Sequence, residues 1–233
     1  MGADSKIEWT HHTFNPWRGC TKVSDGCKFC YAEAYAKRYP KIGGVWGDNG
    51  ARVIASSDAM WREPLKWNRA AEKAGERRRV FCASLADVFE DRPELIAPRH
   101  RLWELIVDTP NLDWLLLTKR PENIHRCSWS DFEINGWPPT VWLGVSVENQ
   151  EQADARIPHL LRVPAAVRFL SVEPMLGPVD LHITSDFSSS GHGPSWMLPI
   201  ASGAGGATPT INWVIFGGES GPRARPFEMA WLE

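Results

Sequence analysis

The chain has 233 residues, of which 43% are hydrophobic and 23% charged. That suits one large domain with a sizeable core and excludes wholesale disorder and fibrous architectures. Acidic and basic residues nearly cancel, 28 against 26, for a formal charge of −2, which argues against a protein held on nucleic acid by bulk charge alone. No apolar run approaches the roughly 20 residues of a membrane span. The opening MGADSKIEW lacks the apolar segment of a signal peptide. The expectation is a soluble, cytoplasmic protein in a reducing compartment, where its five cysteines are too few and too unevenly placed for a disulfide scaffold.

In chain order, a helix is expected first over Tyr31 to Tyr39, in the run YAEAYAKRY, which is rich in helix formers. A helix-like stretch from Glu63 to Arg79 precedes the apolar run Val80-Phe81-Cys82-Ala83. Helix-like Arg99 to Val107 then leads to Trp114-Leu115-Leu116-Leu117. Pro121 to Arg126 precedes Val141-Trp142-Leu143-Gly144-Val145. Glu151 to Leu161 leads to Arg168-Phe169-Leu170-Ser171-Val172, and the last apolar run is Trp213-Val214-Ile215-Phe216. Continuous apolar runs of this length fit strands buried on both faces, and their alternation with helices is the signature of βαβ units in an α/β domain with a parallel sheet. A Gly-, Ser- and Pro-rich segment of almost no charge, about 184–210, separates the last two runs and reads as an inserted flexible loop within a single domain.

Each apolar run exits into a polar or glycine-bearing cluster: Ser84-Leu85-Ala86-Asp87, Thr118-Lys119-Arg120, Ser146-Val147-Glu148-Asn149, Glu173-Pro174 and Gly217-Gly218-Glu219-Ser220-Gly221. In parallel α/β folds the C-terminal edge of the strands is where active sites are built. A buried strand must also leave through polar turn residues whatever its function. The thirteen tryptophans are dispersed among other apolar residues and read mostly as packing, with base stacking as the rival.

Three cysteines, Cys20, Cys27 and Cys30, fall in the stretch TFNPWRGCTKVSDGCKFCYAEAYAKRY. Cys27 and Cys30 sit where a helix begins, so its dipole and free N–H groups favour thiolate. Cys20 reaches them across a six-residue loop. Three readings stay open. A [4Fe–4S] cluster on three cysteines keeps one iron free for a small molecule. A structural zinc site wants a fourth ligand, for which His11 or His12 is available. Thiol redox chemistry through Cys27 and Cys30 is the third.

Cys27-Lys28-Phe29-Cys30 resembles the Cys-x-aromatic-Cys ending of the radical S-adenosylmethionine cluster loop, with six residues instead of three separating the first two cysteines. The chain as a whole resembles a phage-type protein family of unassigned function that carries this widened motif. The matching segments are TFNPWRGC, GCKFCYA, SLADVFED, LLLTKRP, WLGVSVEN, FLSVEPMLGPVDL and WVIFGGESGPRARP, which span nearly the whole chain. The resemblance implies a partial (β/α)6-type barrel with the cluster loop after its first strand. It implies S-adenosylmethionine as cofactor, cleaved by one electron from the cluster to a 5′-deoxyadenosyl radical, and a reducing electron donor as partner. Cys20, Cys27 and Cys30 would ligate the cluster, with Phe29 packed beside the adenine or the cluster. Ser84, Asp87, Thr118, Lys119, Ser146, Glu148 and Glu173 are the strand-end candidates to contact S-adenosylmethionine or substrate.

Two departures from the superfamily pattern stand out. Gly217-Gly218-Glu219 follows a late strand rather than an early one, so it is read only as a close-approach turn beside the cofactor, with Glu219 able to accept a hydrogen bond. The chain stops at Trp231-Leu232-Glu233 inside an expected helix, which reads as a C-terminal truncation with an open barrel edge; an inactive copy is the consequence if so. The phage-type resemblance makes nucleic acid or a nucleotide the first substrate class to test. The alternative function is a non-catalytic zinc- or cluster-binding module in a protein or nucleic-acid complex. Weaker signals are His125 and Cys127 as a metal pair, Lys119-Arg120 as a holder of carboxylate or phosphate, and Arg77-Arg78-Arg79 as cations closing a helix.

Overall fold

The computed structural model describes residues 5–181, 210–221 and 223–232. The expected insertion at 184–210 therefore lies almost wholly outside the described residues. Six strands form one parallel sheet: β1 (His12–Phe14), β4 (Arg78–Cys82), β5 (Leu112–Thr118), β6 (Val141–Ser146), β7 (Val167–Val172) and β8 (Trp213–Phe216), in the spatial order β1-β4-β5-β6-β7-β8. The short strands β2 (Trp17–Arg18) and β3 (Val53–Ile54) pair antiparallel beside it. The helices are α1 (Tyr31–Arg38), α2 (Asp58–Ala74), α3 (Ile96–Val107), α4 (Ile124–Cys127), α5 (Ser130–Asn135) and α6 (Gln150–Arg162). No helix among the described residues is long and apolar enough to cross a membrane.

The five apolar runs become β4 to β8. The first strand carries only three residues, His-Thr-Phe, too few for a periodic signal, and it was expected only through the resemblance. The helix expected over Glu63 to Arg79 is displaced. It starts at Asp58 and stops at Gly75, whose φ of 66° is the left-handed cap that glycine accepts without strain. Arg78 and Arg79 consequently belong to β4 and do not close a helix. The stretch from Pro121 splits into a 3₁₀ turn and α4, with α5 following as an additional element.

Strand order that follows chain order puts every crossover on the same side when all are right-handed, and the packing agrees. Alternate residues Val80, Cys82, Leu112, Trp114, Leu116, Val141, Leu143, Val145, Leu170 and Val172 join one core with Trp61 and Trp67 of α2, Leu102 and Trp103 of α3, and Ala153, Ile157 and Leu160 of α6. The opposite face carries a smaller cluster of Leu115, Phe169 and Ile215, flanked by Trp9, Leu117, Trp142 and Trp213. In a flat sheet five strand spacings separate β1 from β8, about 24 Å. Yet Trp9, just before β1, places its ring 6.2 Å from that of Trp213 on β8, and Arg79 of β4 lies 5.7 Å from the same ring. The sheet therefore curls around this face. Among the described residues β1 and β8 are not hydrogen-bonded to each other, so the curl is not a closed barrel.

Candidate functional site

The chain leaves β1 at Phe14 and runs across the C-terminal ends of the strands as the cysteine loop. Asn15, buried, fixes the start: its carbonyl accepts from Leu85 N (2.7 Å) and its amide donates to Ser84 Oγ (3.0 Å). Cys27 closes a 3₁₀ turn over Asp25–Cys27, and Cys30 is the N-cap of α1, where the sequence placed a helix start.

Two buried ion pairs hold the two ends of this loop. At the Cys20 end, Arg120 Nη1 donates to Asp87 Oδ2 (3.0 Å) and to Cys20 Sγ (3.5 Å), while Nη2 donates to Thr21 O. Asp87 also accepts from Thr118 Oγ1 (2.8 Å), Phe89 N (2.9 Å) and Lys119 N (3.1 Å). Behind it, Arg52 pairs with Glu90, both side chains within 5% of full burial. At the Cys27 end, Arg156 of α6 donates to Glu148 Oε2 (2.7 Å), and Gly26 N donates to Glu148 Oε1 (3.3 Å). Gly26 has to be glycine here, since a Cβ would lie 2.8 Å from Glu148 Cδ.

Above these pairs lies a cavity of about 460 Å³, within the range of small-molecule sites. Cys20, Cys27 and Cys30 border it, as do Ser84, Asp87, Thr118, Lys119, Ser146 and Glu173 from the ends of β4 to β7. Its deeper wall includes Trp9, Phe81 and Leu117. Nine of the residues singled out in the sequence thus border one cavity. Five of the candidates, Phe29, Glu148, Gly217, Gly218 and Glu219, fall outside the lining. Glu148 is buried beneath the loop, tied to Arg156. Phe29 turns away from the cavity, its ring covered by Lys28, Arg223 and Arg225 at 5.6, 5.1 and 5.2 Å. Glu219 is engaged by Arg225 through Nε (2.8 Å) and Nη2, and Arg225 reaches on to Asp25 O (2.9 Å). Gly218 lies against Phe227. Gly217 instead permits close approach to a site residue: a Cβ there would lie 2.1 Å from Glu173 Oε1.

The electrostatics differ from one residue to the next. Burial, reinforced by Asp87 and only partly offset by Arg120, pushes the Cys20 thiol up to about 12. Burial also works to raise Glu148, but Arg156, Lys119 and a hydrogen bond from Ser24 outweigh it and hold the carboxyl below its usual range. Burial raises Glu173, and Ser171 and Lys119 offset it only partly. Neither Glu173 nor Lys119 forms an ion pair among the described residues, so a carboxyl and an ammonium face one cavity unmatched.

The donor set, three free thiols on one loop beside one cavity, fits a three-cysteine iron–sulfur site in chemistry and place. As they stand, no three His, Cys, Asp or Glu side chains among the described residues are close enough together to hold a metal ion. A metal or cluster held by all three would require movement within the loop to gather the sulfurs. His11 contributes no fourth ligand: its Nδ1 accepts from Arg79 N (2.9 Å) at the far end of β4. His125 pairs with Glu133, and Cys127 is buried at the end of α4.

Sequence reasoning missed Arg52, Glu90 and Arg156, and it read Arg120 as an anion holder although Asp87 already occupies it. The spacing Asp87-x-x-Glu90, two acids leaving an apolar strand, was the available signal that cations must be nearby. The chain belongs to the family described as a protein of unknown function (DUF5131), whose profile matches residues 4–233. No curated protein and no solved structure matches it.

Proposed function

We propose that this member of the family is an iron–sulfur enzyme of the radical S-adenosylmethionine type, built on a partial (β/α)6-type barrel. The observation that carries this reading is one cavity bordered by Cys20, Cys27 and Cys30 together with Ser84, Lys119, Ser146 and Glu173, each from the end of a different strand. The sequential parallel order and the curl of the sheet support the barrel reading. Cys20, Cys27 and Cys30 would hold a [4Fe–4S] cluster, which would supply the single electron for cleavage of S-adenosylmethionine.

The chain's own residues bind and orient. Lys119 is suited to the methionine carboxylate. Glu173 is suited to a cationic group, because an ionised carboxyl in a part-buried site is stabilised by an arriving positive charge. The hydroxyls of Ser84, Ser146 and Ser171 border the same space, and Trp9, Phe81 and Leu117 give it an apolar wall, which strengthens polar contacts beside it.

The test is anaerobic reconstitution with iron and sulfide, reduction, and assay for 5′-deoxyadenosine, with Cys30→Ala as control. Cofactor cleavage that vanishes in the variant is the expected result. Tight zinc at one per chain, with no cluster formed, would overturn the reading in favour of a closed binding module.

A further inference from the structure

We infer that Arg120 is a positioning residue for Cys20: it fixes the sulfur on the cavity wall and, in the loaded protein, keeps an N–H donor on that ligand sulfur, making the cluster easier to reduce. This rests on the iron–sulfur reading above.

The geometry singles out Arg120 among the cations near the site. Its side chain is 8% exposed, and both terminal nitrogens of the guanidinium are committed: Nη1 to Asp87 Oδ2 and Cys20 Sγ, Nη2 to Thr21 O and towards Glu90 Oε1 at 3.8 Å. Its partners are themselves fixed. Asp87 is held by Thr118, Phe89 N and Lys119 N, and Glu90 by Arg52. A planar fork with fixed partners cannot follow a moving sulfur, so the sulfur must come to it. The backbone of Arg120 is tied as well, through its N–H to Thr118 Oγ1 (2.8 Å).

The three cysteines are consequently unequal. Cys20 has a cationic donor at its sulfur. Among the described residues the side-chain hydrogen-bond partner of Cys27 Sγ is the neutral Ser24 hydroxyl, 4.0 Å away, and no side-chain donor to Cys30 Sγ occurs. Hydrogen bonds and positive charge at cluster sulfurs stabilise the reduced, more negative form, and partners beyond the ligands orient them. Asp87 and Glu90 are balanced by Arg120 and Arg52, so the ligand sulfur meets a donor without a net excess of cations.

The experiment uses the full chain as wild type, Arg120→Lys and Arg120→Met, each reconstituted anaerobically. Iron content and absorbance read loading, and a dithionite titration followed by electron paramagnetic resonance reads the midpoint potential. The expected order of potential is wild type, then Lys, which keeps the charge and loses the fork, then Met as the most negative. Fully loaded Arg120→Met with the wild-type potential would overturn the inference. If Arg120→Met takes up no cluster, cobalt(II) binding decides. A thiolate-to-cobalt absorption reduced by one thiolate's share relative to wild type supports the hold on Cys20, and an unchanged band overturns it. If the wild type itself takes up no cluster, the iron–sulfur reading fails, and the same cobalt spectra still decide whether Arg120 places Cys20.

Discussion

Glu148 and Glu173 stand in nearly the same local context, just past the ends of the neighbouring strands β6 and β7, and the fold treats them in opposite ways. Glu148 is fully buried, paired with Arg156, bonded to Gly26 N and held below its usual proton affinity. Glu173 lines the cavity, accepts among the described residues only a long hydrogen bond from Ser171 Oγ (3.5 Å), and is pushed above its usual proton affinity. A buried charge that already has its partners is scaffolding, and here it docks the cysteine loop. A part-buried charge without one is an energetic liability that a cationic ligand relieves. The same division separates Asp87, consumed by Arg120, from Lys119, which faces the cavity unpaired.

Breaking the scaffold side gives the largest expected effect. Arg156→Met leaves Glu148 buried without its ion-pair partner and should cost ~3–5 kcal/mol at neutral pH, read as a lower urea midpoint. The acid response carries the sign. Because the folded-state affinity of Glu148 is depressed, its contribution is present above the ordinary carboxylate range and is lost as pH falls through the lower folded value. In Arg156→Met that acid-side loss should disappear, and lowering the pH should instead narrow the gap to wild type. A variant as stable as wild type at neutral pH would show that Glu148 does not anchor the loop.

The glycines that back the two carboxylates sharpen the contrast. At Gly26 a Cβ would meet Glu148 Cδ at 2.8 Å, and at Gly217 it would meet Glu173 Oε1 at 2.1 Å. Distance alone makes Gly217→Ala the worse substitution. The anchoring predicts the reverse order of stability. Glu148 is pinned by Arg156 and cannot yield, so Gly26→Ala should cost ~1–3 kcal/mol. Glu173 has no direct ion pair among the described residues and can swing aside, so Gly217→Ala should cost less in stability and show its effect in ligand binding. Thermal unfolding of the two variants side by side reads the order directly.

Much of the frame was legible in the sequence because β4 to β8 are buried on both faces and so read as unbroken apolar runs. β1 was not, since three residues carry no period. The edge on which the site lies was legible too: polar clusters after successive strands converge on one cavity. What the sequence hid was the pairing. Phe29 and Glu219 looked like ligand contacts, yet Arg225, near the other end of the sequence from Phe29, covers its ring, and it binds Glu219 from six positions away. Asp87, Glu148 and Glu173 have the same chemistry on the page. Only the placement of Arg120 and Arg156, from a turn and a helix, decides which of them are already satisfied.

Glu173→Gln should have the smallest effect on the fold, and it is the one that tests whether Glu173 belongs to the ligand. A carboxyl whose affinity is raised on folding favours the native state fully at pH below its unfolded value, and that favour is lost as pH rises through the folded value. Glutamine does not titrate. The variant should therefore match wild type in acid, with a flatter profile, and be equal or slightly more stable at neutral pH, by ~1 kcal/mol or less. The amide can still accept from Ser171, so nothing buried is orphaned. Ligand binding should respond in the other direction, with loss of affinity for a cationic group at neutral pH, measured by calorimetry with S-adenosylmethionine on the reconstituted protein. A clear loss of neutral-pH stability would place Glu173 with Glu148 as scaffolding and leave Lys119 as the unmatched charge facing the cavity.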